Sequence, residues 1–202
     1  MMKNDRRIHK SKKGLKDALI TLMAEKEFEK ITVTDLVQKA DLNRGTFYKH
    51  FQTKEELLEE LTNDILDDLI RSYREPYIGI GKLHIENLTT SSVKIFEHVY
   101  QYGSFYSVMI HSHALSGFQD KIISVLTQLS YDEIGFDHIP NAINHELLTN
   151  YHVYGLYGLI ISWVKGGFKY SPTHMTEQLI EMLNYTSKLP IVNIKQKEER
   201  KP

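Results

Sequence analysis

Residues 31–54, ITVTDLVQKADLNRGTFYKHFQTK, leave few ways to fold. Thr32 is placed to cap a short helix over about 33–40, with Asp35 at its third position as a variant capping box. Asp41-Leu42 forms a turn, and Asn43 caps a second short helix with Phe47 and Phe51 on its buried face. Thr53 and Glu56 then make a T-x-x-E box that opens a longer helix. Two short capped helices across a tight turn are a helix-turn-helix, whose second helix is shaped for the DNA major groove.

The flanking sequence is helical as well. Leu15, Ala18, Leu19, Leu22 and Met23 form the stripe of an amphipathic helix over about 11–28. Leu57, Leu58, Leu61, Ile65, Leu66, Leu69 and Ile70 carry helical periodicity to about Tyr73. Pro76 and the punctuation up to Gly81 mark a linker. Beyond it the pattern predicts five more helices, at about 87–102, 104–113, 116–130, 143–167 and 173–188. No stretch alternates with a period of two, so the expected fold is all-α with about nine helices. Its expected parts are a head at 1–54, a connecting helix at about 54–73, a helical body at 75–190 and a flexible tail at 191–202.

Charge divides the chain the same way. Residues 1–54 hold 13 Lys/Arg against 7 Asp/Glu, and the remainder holds 12 against 19. A basic head on an acidic body points the head alone at a polyanion. The absence of cysteine removes disulfides and thiolate metal sites and fits a reducing, cytoplasmic setting. The apolar run VYGLYGLIISWV has 12 residues, short of the roughly 20 that span a bilayer, so it is expected to be a core helix and not a membrane span.

The head supplies a set of candidate DNA contacts. Arg44 at the start of the second short helix is placed for a bidentate bond to guanine, and Thr46 for a thymine methyl or a phosphate. Gly45 lets the helix start approach DNA closely. Thr34, Tyr48, Lys49, His50 and Lys54 carry groups suited to phosphate oxygens. The capped start of the next helix offers a further phosphate its dipole and free N–H groups.

FEKITVTDLVQKADLNRGTFYKHFQTKEELL resembles the N-terminal domain of the TetR family of bacterial transcriptional regulators, most specifically over Thr46 to Leu57. By that match Thr46, Tyr48, His50 and Lys54 occupy the family's DNA-contacting positions, and Arg44 stands where the base-reading residue varies. One departure is Asp41, where the family usually places glycine. The resemblance implies that residues from about 75 onward form a domain for effector binding and dimerisation. Within it, G-L-x-x-x-W-V-x-x-G-F (Gly158 to Phe168), followed by Ser-Pro, is similar to the branch of the dihydroxyacetone kinase operon regulators.

The body offers two further candidate surfaces. Phe96, Tyr102, Phe105, Tyr106 and Met109, joined by His152 and Tyr154, are a candidate lining for a small, mostly apolar ligand. Leu156, Ile160, Trp163 and Val164, with Leu179, Met182 and Leu183, are candidates for a four-helix dimer interface. His111 and His113 lie two apart on a helix, so they face apart and cannot chelate one metal together. No cofactor is expected, and no cysteine nucleophile, phosphate loop or serine elbow suggests an enzyme. The expected function is a ligand-responsive regulator, a repressor in the first reading, that binds a palindromic operator as a homodimer. The alternative is a helical adaptor or coactivator acting through a protein partner such as a kinase subunit.

Overall fold

In the computed structural model, residues 2–78, 88–111, 117–133 and 142–185 are described. They form nine α-helices and no strand: α1 (Met2–Glu25), α2 (Val33–Lys39), α3 (Arg44–Tyr48), α4 (Lys54–Arg74), α5 (Ile95–Gln101), α6 (Gly103–His111), α7 (Gly117–Glu133), α8 (His145–Lys165) and α9 (Pro172–Tyr185). The expected tail at 191–202 and the Gly135–Pro140 break lie outside the described residues, as do His113 and part of the linker. No helix among the described residues is long and apolar enough to cross a membrane.

The local signals act as the sequence predicts. Thr32 accepts the Asp35 amide while the Asp35 carboxylate takes the Thr32 N–H, closing the box at α2. Asn43 Oδ1 accepts the Thr46 amide at 2.8 Å and starts α3. Between them Asp41 adopts a left-handed φ of 53°. That conformation lets the Leu42 amide reach back to the Val37 carbonyl at 2.8 Å, the closing bond of a Schellman turn. Asp tolerates left-handed backbone because its short polar side chain bonds locally, so it replaces glycine here. Thr53 caps α4, but Glu56 reaches past it to the Gln52 amide, so the box is displaced by one residue.

Two helix starts differ from expectation. α1 begins at Met2 and not near Ser11, because Arg and Lys are good helix formers even where no apolar stripe continues. α5 begins at Ile95 and not near 87. Before it, Ser92 Oγ takes the Thr89 amide and donates to the Thr89 carbonyl, giving the backbone a 3-10 turn at Thr90–Ser92 instead.

One buried apolar cluster runs from Leu15 in α1 to Met175 in α9, with α4 at its centre through Leu57, Leu58, Leu61, Ile65, Leu66 and Leu69. α4 packs on α1 at one end and on α5 and α7 further along. Lys12 and Lys16 of α1 reinforce the first contact by pairing with Glu60 and Asp64 of α4, each at 2.6 Å.

Candidate nucleic-acid interface and interior cluster

α3 presents its first turn to solvent. Arg44, Gly45 and Lys49 are exposed, and Tyr48 is 55% exposed although its ring edge packs on buried Phe47. Phe47 and Phe51 anchor the helix from below, so the side chains above them are held on a rigid base. Thr46 is half-buried and donates its hydroxyl to Asn43, which leaves its lone pairs outward. A Cβ at Gly45 would stand 3.3 Å from Asn43 Oδ1, so glycine here also protects the cap. Thr34 is exposed on α2. His50 is half-buried, and burial, then the Lys12 and Lys49 ammoniums, hold its imidazole below the ordinary range; it is a neutral group at this surface.

Lys54 is a correction. Its ammonium turns inward and donates to the carbonyls of Phe28, Glu29 and Ile31 at 2.8, 3.0 and 2.9 Å, with the Phe28 ring 4.6 Å away. All three N–H groups are thereby engaged, so Lys54 closes the 3-10 turn at Phe28–Lys30 and is not available to phosphate. The start of α4 is corrected too. Glu55 and Glu56 stand in its first turn, and their carboxylates oppose an anion there.

The expected ligand lining is dispersed. Phe96, Phe105, Tyr106 and Met109 are buried in the core, while Tyr102 and His152 are half-buried. Tyr154 is 55% exposed and points away from them, because it lies on the outer face of α8. A shallow cleft of about 260 Å³ opens between α4 and α7, walled by Phe28, Leu58, Thr62, Met109 and Phe118. Met109 is the one residue it shares with the expected lining.

The residue that the sequence reading left without a role is His98. His98, Tyr102 and Tyr106 follow at four-residue spacing along a helical ladder that continues from α5 into α6 through the Tyr102 and Tyr106 amides. That H-x-x-x-Y-x-x-x-Y spacing was the available signal. His98 faces α4, with Nδ1 3.3 Å from Asp68 Oδ2 but outside hydrogen-bond geometry. Burial drives its pKa down to about 4 against the opposing pull of Asp68, so the imidazole is neutral in the folded chain. An unfolded histidine titrates near 6.5, so below that pH the unfolded state binds the extra proton and gains relative to the native one. Acidification from pH 7 to pH 4 should therefore lower stability by roughly 2–3 kcal/mol more in the native chain than in His98→Phe. Denaturant melts of both proteins across that range measure the difference; parallel curves would refute it.

The candidate dimer residues divide. Ile160, Trp163 and Val164 are buried within the single chain and belong to its core, a correction that follows from which side of α8 meets α6 and α7. Leu156 and Leu179 are half-buried against that core, Leu183 is half-buried, and Met182 is exposed. The exposed stripe of α8 is instead Leu147, Tyr151, Tyr154, Gly155 and Gly158. A Cβ on either glycine would meet nothing within 4 Å. The Gly158–Phe168 motif is a corner: Gly167 (φ 67°) and Phe168 (φ 57°) turn the chain, and Trp163 Nε1 donates to the Tyr170 carbonyl at 3.0 Å.

Comparison with known proteins joins the two halves. An uncharacterised HTH-type regulator of Bacillus subtilis, YxbF, is 19% identical over 170 residues, 84% of this chain and 44% of that protein. The HTH-type transcriptional repressor KstR2 of Rhodococcus jostii is 39% identical over 86 residues, 41% of this chain and 42% of its own length. The chain thus spans less than half the length of these relatives. The dihydroxyacetone kinase operon activator DhaS shares the fold at a TM-score of 0.63 and 20% identity, over 87% of this chain and 95% of that one. Residues 86–185 match the profile of a transcriptional regulator C-terminal region. With residues 15–61 matching the profile of the bacterial regulatory proteins of the tetR family, around the same turn that presents Arg44 and Tyr48, the chain belongs to the TetR family.

Proposed function

We propose that the chain is a ligand-responsive transcriptional regulator that binds double-stranded DNA through residues 1–54 and acts as a repressor. The observation that carries this reading is the first turn of α3, where Arg44, Tyr48 and Lys49 stand in solvent above a buried Phe47–Phe51 base. In this reading Arg44 reads a base edge, while Tyr48, Lys49, Thr46 and Thr34 fix the register on phosphates. The contacting set is smaller than the sequence suggests, since Lys54 serves the fold. Arg44→Ala should weaken binding to a selected operator by about 1–3 kcal/mol and relax preference at one base pair. Tyr48→Ala should weaken binding evenly across sequences. Selection of DNA from a random pool, followed by titration of both variants, is the test; affinities unchanged in both would overturn the assignment.

Two copies are needed to span a palindrome. The surface that suits a second copy is the exposed stripe of α8, with Met182 and Tyr185 of α9 beside it and Leu156, Leu179 and Leu183 at its edge. Tyr151 and Tyr154 supply apolar area, and the two glycines let a partner helix approach closely. Gly158→Leu should leave the helix intact, because leucine forms helix better than glycine by about 0.8 kcal/mol. It should nevertheless shift the chain towards monomer in sedimentation. A variant as dimeric as the parent would place the interface elsewhere.

A further inference from the structure

Natural interiors seldom leave polar atoms without partners, and those left bare call for a reason. His98 is 2% exposed and Tyr106 is fully buried. Neither His98 ring nitrogen, nor the Tyr106 hydroxyl, has a hydrogen-bond partner, and the two rings lie 6.0 Å apart. Tyr102 packs 4.7 Å from His98, and Phe118 lies 5.9 Å from Tyr106, so the surrounding walls are aromatic. Phe118 is also a wall of the cleft between α4 and α7, which gives the pair a neighbouring route to solvent.

We propose that His98 and Tyr106 anchor the effector of this regulator, and that the effector is an uncharged alcohol or phenol. The proposal rests on the reading of the chain as ligand-responsive. Its chemistry follows from what the two side chains lack. A neutral imidazole offers one donor and one acceptor, and a phenol offers both. A ligand hydroxyl answers them together, accepting from Tyr106 and donating to His98. A carboxylate would meet Asp68 across the ring, while the nearest cation, Arg71, is already held by Asp68 at 2.7 Å on the surface. An ammonium would turn N–H groups towards aromatic walls that hold too few acceptors for them.

The same geometry provides a link to α4. A ligand that donates to Nε2 of His98 fixes the proton on Nδ1, the nitrogen that faces Asp68. The 3.3 Å approach then becomes a hydrogen bond between α5 and α4, the helix that also carries the DNA-facing end. Ligand binding is thereby converted into a pull on α4.

Calorimetry on the full chain with phenol and cyclohexanol as probes, and benzoate and benzylamine as charged counterparts, tests this. Phenol or cyclohexanol should bind the native chain, and at least roughly tenfold more weakly to Tyr106→Phe and His98→Phe. Tyr106→Phe removes one oxygen, and thermal melts establish that both variants remain folded. Affinities equal in all three proteins, no uptake of either neutral probe at millimolar concentration, or preferential uptake of benzoate or benzylamine would overturn the proposal. Operator binding is measured separately without probe, so its failure would strike the DNA reading alone. Neutral-probe binding that depends on Tyr106 but leaves operator affinity unchanged would overturn the effector role.

Discussion

Lys54→Met should lower the stability of the folded chain by about 2–4 kcal/mol, a larger effect than a phosphate contact would give. Three carbonyls at Phe28, Glu29 and Ile31 depend on that one ammonium, and charged hydrogen bonds contribute about 1.5–3 kcal/mol each before partial exposure reduces them. Methionine retains the chain length and some apolar contact with Phe28 but leaves the carbonyls to water. The turn they belong to sets the entry to α2, so amides of α2 and α3 should exchange faster in the variant. Denaturant unfolding measures the loss. A variant that unfolds within about 0.5 kcal/mol of the parent while binding operator tenfold more weakly would return Lys54 to the DNA surface.

Trp163→Ala should cost about 3–5 kcal/mol, the range for emptying a large aromatic from a packed core. Trp163 is 4% exposed and meets Phe96 at 5.6 Å and Phe168 at 5.0 Å. It also holds the α8–α9 corner through its bond to Tyr170 and braces Phe168, whose left-handed backbone is unfavourable for a bulky residue. The loss should be independent of protein concentration, because the contacts lie within one chain. Unfolding midpoints that converge on the native value as concentration rises would instead indicate an interface residue.

These two residues show where sequence reasoning stops. The caps at Thr32, Asn43 and Thr53 and the turn at Asp41 were legible because each is decided by atoms within four residues. Lys54 reaches carbonyls 23 to 26 positions earlier, and no local pattern records that. Its TetR-like position marks it as important without saying which way the ammonium turns. For α8 the difficulty is periodicity: apolar residues surround the helix, so only the distant elements packed on it decide that Trp163 faces inward and Tyr154 outward. His98 was visible among the aromatics, but its isolation is a property of three helices meeting. The helix inventory and the DNA-facing turn were therefore readable, whereas the interior polar pair and the outer face of α8 were not.

Helix α4 has 21 residues, so it is a rod of roughly 31 Å with the DNA-facing helices at one end and Asp68 towards the other. Its pairs with Lys12 and Lys16 tie the near end to α1. Such a rod works as a lever arm. Tilting it by about 5° around its far end carries the near end through about 3 Å, comparable to the base-pair rise that divides one register from the next. In a two-fold pair both arms swing, and the separation of the two reading helices changes by up to twice that distance. A displacement of a few tenths of an ångström beside His98 is thus enough, by leverage alone, to set whether both copies reach their half-sites together.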